Sequence, residues 1–310
     1  MIISIVIPVY KSKSTISILI SKLKNTLSTI TNEYEIILVD DFCPQDSWST
    51  ILLECNSDSR IKGIRLTKNF GQHYAISAGV NCVNGNWIVI MDCDLQDNPD
   101  LIPELLNRAI NNSSKIVFAK RIQRNDHLSK RLTSNIFHKS LSFLTNIQFD
   151  SAVANFGVFH SDVIDLYNKL QDRNRVFPIM VKSLGFKVDY LELIHNKRYE
   201  GKSSYTLNKR FNLALDIILS YSNKPLTLIL KLGFIISILS LIFGIITISR
   251  YFSGDIQVSG YTSILVSIWL LSGIIIFIIG FSGLYIGKIF DAVKNRPLYI
   301  IEEKINFNEI

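Results

Sequence analysis

The sequence predicts an α/β domain on a mostly parallel sheet, followed by a two-helix transmembrane hairpin. Three observations carry this: short apolar runs alternate with helical patterns in the first half, two long apolar stretches lie in the C-terminal third, and basic residues flank those stretches on their outer sides. At 310 residues the chain accommodates one large domain and an appendage.

The elements follow in order. Ile2 to Val9 reads as a strand, Ser14 to Ile30 as a helix, Glu35 to Val39 as a strand and Ser47 to Glu54 as a helix. Ile61 to Leu66 is a strand, Tyr74 to Val83 a helix, Trp87 to Met91 a strand, Pro99 to Ile110 a helix and Lys115 to Ala119 a strand. Met1 to Pro8 lacks a basic n-region and a small-residue cleavage site, so it reads as a buried strand and not a signal peptide. In open parallel sheets ligands bind beyond the carboxyl ends of the strands. The polar residues there are Pro8-Val9-Tyr10, Asp40-Asp41, Thr67-Lys68-Asn69 and Asp92-Cys93-Asp94.

Crossing a bilayer takes roughly 20 mostly apolar residues. Leu226 to Ser249 and Ser263 to Ile286 both qualify, with Lys231 placed to snorkel at the cytoplasmic end of the first. Lys209, Arg210 and Lys224 lie outside one end of the pair, and Lys288, Lys294 and Arg296 outside the other; the link holds only Arg250 and Asp255. The positive-inside rule puts both ends in the cytoplasm. The alternative is a buried helical hairpin of a soluble protein. Before the first span, Lys209, Asn212, Asp216 and Ser220 oppose Leu207, Phe211, Ala214, Leu215, Ile218 and Leu219, the pattern of an interfacial amphipathic helix. Leu128 to Ile147, with Lys130, Arg131 and Lys139, is a weaker second candidate; either segment could equally be a core helix with one wet face. The expected organisation is a cytoplasmic catalytic domain over 1–205, a juxtamembrane helix over 206–224, two spans over 225–288 and a cytoplasmic tail over 289–310. That makes a multi-pass protein of the inner (plasma) membrane. Paired spans often self-associate, so a homo-oligomer is a further expectation.

Composition narrows the chemistry. A net charge of +7 suits an anionic partner. Basic residues are not interleaved with aromatics along one element, so no nucleic-acid partner is expected. Cys43, Cys55, Cys82 and Cys93 lack the close pairing of a zinc site and read as reduced thiols. No G-x-G-x-x-G follows the first strand, and no P-loop, H-E-x-x-H or G-x-S-x-G occurs. Dinucleotide-cofactor enzymes, P-loop enzymes, metalloproteases and serine esterases therefore have no support.

Met91-Asp92-Cys93-Asp94-Leu95-Gln96-Asp97 crowds three carboxylates after a buried strand. Uncompensated, they raise one another's pKa. A hard divalent ion, Mg²⁺ or Mn²⁺, removes that penalty, taking one or two protein carboxylates and filling its other sites with water and phosphate oxygens. Asp92 and Asp94 are the candidate ligands. Asp97 and Asn98 serve equally well as caps of the helix at Pro99. Asp40-Asp41 has the chemistry to accept from a base N–H or a ribose hydroxyl, although Asp commonly begins turns.

Taken together, Ser4-Ile-Val-Ile-Pro-Val-Tyr10, Val39-Asp-Asp41, Asn69-Phe-Gly-Gln72, Met91-Asp-Cys-Asp-Leu-Gln-Asp97 and Arg198-Tyr-Glu-Gly-Lys-Ser-Ser204 resemble, in order and spacing, the family 2 glycosyltransferases, nearest the polyisoprenyl-phosphate branch. The resemblance implies a GT-A (Rossmann-like) fold, inverting chemistry and a nucleoside diphosphate sugar donor. It places the nucleoside at Pro8, Tyr10, Asp40, Asp41, Lys68 and Asp92, and the metal at Asp92, Asp94 and Gln96. It places phosphate or acceptor at Arg121, Arg131, Asn155 and Ser203. Asp94, Asp97, Arg198 and Lys202 are the implied catalytic set, the last two on a loop closing over phosphate.

One departure bears on the acceptor. Where the branch commonly reads G-D-F-R-L, this chain has Ala154-Asn155-Phe156-Gly157-Val158. A sugar hydroxyl needs a general base to attack, whereas a phosphate monoester is mostly dianionic at neutral pH. The lost carboxylate therefore favours polyprenyl phosphate as acceptor; for a hydroxyl acceptor, Asp97 or Asp150 would have to be the base. The expected function is transfer of one sugar to polyprenyl (undecaprenyl) phosphate at the cytoplasmic membrane face. The alternatives are transfer to a hydroxyl of a lipid-linked saccharide and a non-catalytic nucleotide-binding membrane scaffold.

Overall fold

The computed structural model describes residues 1–121, 153–170, 172–193, 218, 222, 224–253, 260–294 and 296–307. They fall into two compact units: the sheet domain, which the segment from Arg296 onward rejoins, and the long helices.

The first unit alternates strand and helix as expected. β1 (Ile3–Val9), α1 (Ile16–Ser28), β2 (Tyr34–Asp40), α2 (Ser47–Ser57), β3 (Ile61–Leu66), α3 (Gln72–Val80), β4 (Trp87–Ile90), α4 (Ile102–Asn111) and β5 (Ile116–Arg121) follow one another. Then come β6 (Val153–His160), α5 (Ser161–Lys169), α6 (Phe177–Ser183) and β7 (Val188–Leu193), and β8 (Ile301–Ile305) after the long helices. The sheet runs β7-β5-β6-β4-β1-β2-β3-β8. β1 pairs in parallel with β2 and β4, β2 with β3, and β5 with β7; β6 is antiparallel to β4 and β5, and β8 to β3. Six strands thus point the same way and end at one edge.

Alternation of the strand side chains explains the layering. Ile36 and Leu38 join Ile3, Ile5 and Ile7 in a core closed by α1, α2 and α4. Ile37 and Val39 face the other way, onto Ala75 and Ala78 of α3. Buried on both faces, the central strands read as continuous apolar runs. Pro8 is tolerated within β1 because the ladder to β4 ends at Val6–Ile90, so its missing donor breaks no bond on that side. No strand was expected beyond Ala119, and 289–310 was read only as a tail. The sheet nevertheless takes β6, β7 and β8 from these stretches.

In the second unit, α7 (Lys224–Phe252) and α8 (Tyr261–Val293) are long helices. Among the described residues one stretch, Leu270–Val293, is long and apolar enough to cross a membrane. Its 24 residues span about 36 Å as a helix, more than the roughly 30 Å hydrocarbon core. That is one such stretch where two were expected: α7 contains Leu226 to Ser249 but does not meet the same measure over its described residues. The amphipathic segment Leu128 to Ile147 lies outside the described residues, as does nearly all of 206–224.

Candidate active site

The carboxyl edge of the parallel strands gathers most of the expected residues. β1 delivers Tyr10, β2 Asp40 and Asp41, β3 Lys68 and β4 the Asp92-Cys93-Asp94 triplet. The antiparallel pairing of β4 with β6 ends at Ile90–Gly157, two residues short of Asp92 on one strand and two beyond Asn155 on the other. β5 ends at Arg121 on this edge, and β7 ends there at Leu193, opposite Arg121. Arg131, Asp150, Arg198, Lys202 and Ser203 lie outside the described residues, and of Arg121 only the backbone is described.

The triplet is held by its middle residue. Cys93 is buried, and Thr15 Oγ1 donates to its carbonyl at 2.6 Å. Burial pushes the Cys93 thiol up to about 12, so it stays protonated and inert. Asp92 and Asp94, on either side, are half-buried. Asp92 Oδ1 accepts from Gln72 Nε2 at 2.6 Å. Asp94 Oδ1 accepts from the Gln96 amide at 3.1 Å, closing the turn in which Leu95 takes a φ of 60°. Asp97 is 5% exposed and accepts at Oδ2 from the Asp92 amide at 3.2 Å. Turned back onto the strand end, it is no accessible base. The capping expectation resolves onto Asn98, whose Oδ1 accepts from the Asp100 amide at 3.2 Å.

The nucleoside-side residues divide. Tyr10 is 43% exposed and Lys68 is exposed, whereas Pro8 is buried and Asp40 and Asp41 are each 2% exposed. Asp41 Oδ1 and Oδ2 accept from the Phe70 and Gly71 amides at 2.7 and 2.8 Å. Its carboxylate therefore organises the loop before α3 and does not stand open to a base. Asp40 Oδ1 accepts from the Cys43 amide at 3.2 Å. Burial pushes Asp40 up to about 6, against the Cys43 amide and the Arg65 charge, which pull it down. Cys43 and Cys82 are half-buried free thiols, and Cys55 and Cys93 are buried ones.

Asp40 yields a stability prediction. With its pKa raised above the unfolded value near 4, the folded state keeps a proton that the unfolded chain has lost. Stability is therefore lost as pH rises from about 4 to about 6, by about 2–3 kcal/mol at most. Asp40→Asn keeps the acceptor for Cys43 and removes the charge. It is expected to raise the Tm of the detergent-solubilised chain by several degrees at pH 8 and to leave it unchanged at pH 4. Equal shifts at both pH values would contradict the assignment.

Among the described residues no group of three or more His, Cys, Asp or Glu side chains forms a metal cage. A closed structural site is thus not what these residues build. Two half-buried carboxylates beside Gln96 do fit Mg²⁺ or Mn²⁺, which keeps most of its shell for water and phosphate. No local pattern singles out Thr15, and Gln72 appeared in a motif without a role.

Six strands ending at one edge, with carboxylates at the ends of β2 and β4, make a GT-A-like α/β fold. The chain superposes on glucosyl-3-phosphoglycerate synthase of Mycobacterium tuberculosis, solved in complex with UDP, with a TM-score of 0.51 at 13% identity, over 72% of this chain and 79% of that one. The chain belongs to glycosyl transferase family 2, whose model matches residues 4–167. It is 32% identical over 301 residues to an uncharacterized glycosyltransferase of Bacillus subtilis, YkcC, covering 97% of this chain and 93% of that one. It is 31% identical over 302 residues to the SfII prophage-derived bactoprenol glucosyl transferase of Shigella flexneri, covering 97% of each. Over 311 residues it is 28% identical to the undecaprenyl-phosphate 4-deoxy-4-formamido-L-arabinose transferase of Photorhabdus laumondii, covering 99% of this chain and 95% of that one.

Proposed function

We propose that this chain transfers one sugar from a nucleoside diphosphate sugar to polyprenyl phosphate at the cytoplasmic membrane face, with inversion. The observation that carries the reading is similarity along 97% of both chains to a bactoprenol glucosyl transferase, long helices included. Asp92 and Asp94, with Gln96, would hold Mg²⁺ or Mn²⁺. When bound, that ion offsets charge developing on the departing diphosphate. Tyr10 and Lys68 form the open side of the nucleoside site, while Asp40 and Asp41 shape its loops from beneath. Arg121, Arg131, Arg198, Lys202 and Ser203 supply cationic and hydroxyl contacts to phosphate.

The acceptor needs no base. A lipid phosphate oxygen attacks the anomeric carbon as the bond from that carbon to the diphosphate breaks. Asn155, two residues before the Gly157 that pairs with Ile90, would donate to the incoming phosphate, where an aspartate would repel it. The burial of Asp97 counts against a hydroxyl acceptor. α7 and α8 together form the membrane hairpin, with both ends on the cytoplasmic side, as the basic flanks Lys224, Lys288 and Lys294 favour.

The test is to incubate membranes containing the chain with undecaprenyl phosphate and a panel of radiolabelled nucleotide sugars. The expected product is a lipid-extractable glycosyl phosphate that mild acid cleaves. An acid-stable glycoside would move the acceptor to a saccharide hydroxyl, and no transfer from any donor would defeat the reading.

A further inference from the structure

Gln72 carries none of the roles proposed above, yet its side chain donates to a triplet carboxylate, with 2.6 Å from Nε2 to Asp92 Oδ1. It is the first residue of α3, and the backbone there is fixed from several sides. Asp41 takes the Phe70 and Gly71 amides on its two oxygens, and Asn69 Nδ2 donates to the Asp41 carbonyl at 3.2 Å. Gly71 has a φ of 103°, which a residue with a Cβ adopts only under strain. Farther along, Tyr74 Oη donates to the Arg173 carbonyl at 2.7 Å, and His73 Nδ1 accepts from the Phe177 amide at 3.4 Å. Burial pulls His73 down to about 4, so it is a neutral acceptor there. Within the helix, a Cβ on Gly79 would collide with Val6, so the absence of a side chain there lets α3 pack close on β1.

These contacts join the β2 end to the β4 end through one hydrogen-bonded loop. We propose that Gln72 is a positioning residue for Asp92, and that Asp41 acts on the same carboxylate at one remove, through the loop it holds. The inference rests on the donor reading, in which Asp92 helps to hold a divalent cation. The chemistry of the donor is the point. An amide N–H orients a carboxylate without cancelling its charge, so Asp92 keeps its full attraction for a cation. A lysine or arginine in the same place would orient it and compete for that charge.

The test uses the detergent-solubilised full chain and four probes, ADP, CDP, GDP and UDP, each titrated calorimetrically with and without Mn²⁺. Gln72→Met preserves length and removes the donor; Gln72→Ala removes the side chain. Both are expected to weaken Mn²⁺-supported binding of the preferred diphosphate by about 10-fold or more. Metal-free binding and Tm should stay at the wild-type values, and excess Mn²⁺ should restore the donor KM. If wild type shows Mn²⁺-supported binding and Gln72→Met matches it, the positioning role is overturned while the donor reading stands. If wild type gains nothing from Mn²⁺ with any of the four, the cation reading of Asp92 falls, and this inference with it.

Discussion

Asp94→Ala is expected to lower sugar transfer by roughly 100- to 1,000-fold at saturating donor, the usual cost of removing one preorganised electrostatic group. The fold should survive, because Asp94 is half-buried and its contact with the Gln96 amide lies within one turn. Losing that bond costs about 1 kcal/mol. Asp92 differs: it is tied to Gln72 and, through its amide, to Asp97. Its replacement therefore disturbs the strand end as well as the charge, which makes Asp94 the cleaner probe. The measurement is kcat at saturating Mn²⁺, alongside a thermal melt of each variant. Full turnover in Asp94→Ala under those conditions would remove the metal role from this residue. A loss repaired by raising Mn²⁺ would mean that Asp94 governs affinity for the ion and little else.

What the sequence disclosed, and what it hid, follows from where each signal resides. β1, β2 and β4 were legible because a strand buried on both faces is apolar over most of its length, as Ile5–Val9 and Ile36–Val39 are. The carboxyl-edge location of Asp92 and Asp94 followed from the same alternation of strand and helix. β8 was not legible, since Ile-Glu-Glu-Lys-Ile is charged at its centre and has only its two ends half-buried, as suits an edge strand. β6 was hidden differently: its Ala154 to Val158 had drawn attention only as an acceptor motif. The roles of Asp40, Asp41 and Asp97 turned on partners contributed by the fold. Asp41 meets Phe70 and Gly71, about thirty positions away, because β2 and β3 end side by side. No local pattern encodes that meeting. A carboxylate at a strand end reads as a ligand until its amide partners are known.

Ending the chain after Asn295 is expected to cost the sheet domain most of its stability, although the cut lies far from its other residues in sequence. The segment from Arg296 returns to that domain, where β8 closes the outer edge of β3 through pairs from Leu66–Ile301 to Gly63–Ile305. Tyr299, Ile301 and Phe307 pack on the core formed by Ile37, Val39, Ile64, Leu66 and α3. Trp48 Nε1 donates to Glu303 Oε2 at 3.1 Å, and Asn306 Nδ2 donates to the Cys55 and Ile61 carbonyls at 2.8 Å each. Three partly buried large apolar side chains at about 1–2 kcal/mol each, and three hydrogen bonds at about 1 kcal/mol each, sum to about 6–9 kcal/mol. That is comparable to the whole stability of a typical domain, about 5–15 kcal/mol. The shortened chain should therefore be cut by protease throughout residues 1–121 under conditions in which the full chain resists, and should lose its cooperative melt. Asn306→Ala grades the effect, since it removes two bonds and a residue suited to a φ of 62°, for about 1–2 kcal/mol. A shortened chain melting within a degree or two of the full one would show that β8 is only laid against the edge. Because α3 rests on the same core, donor binding should weaken with the melt, carrying the loss from β8 through Ala75 and Ala78 to Gln72 and Asp92.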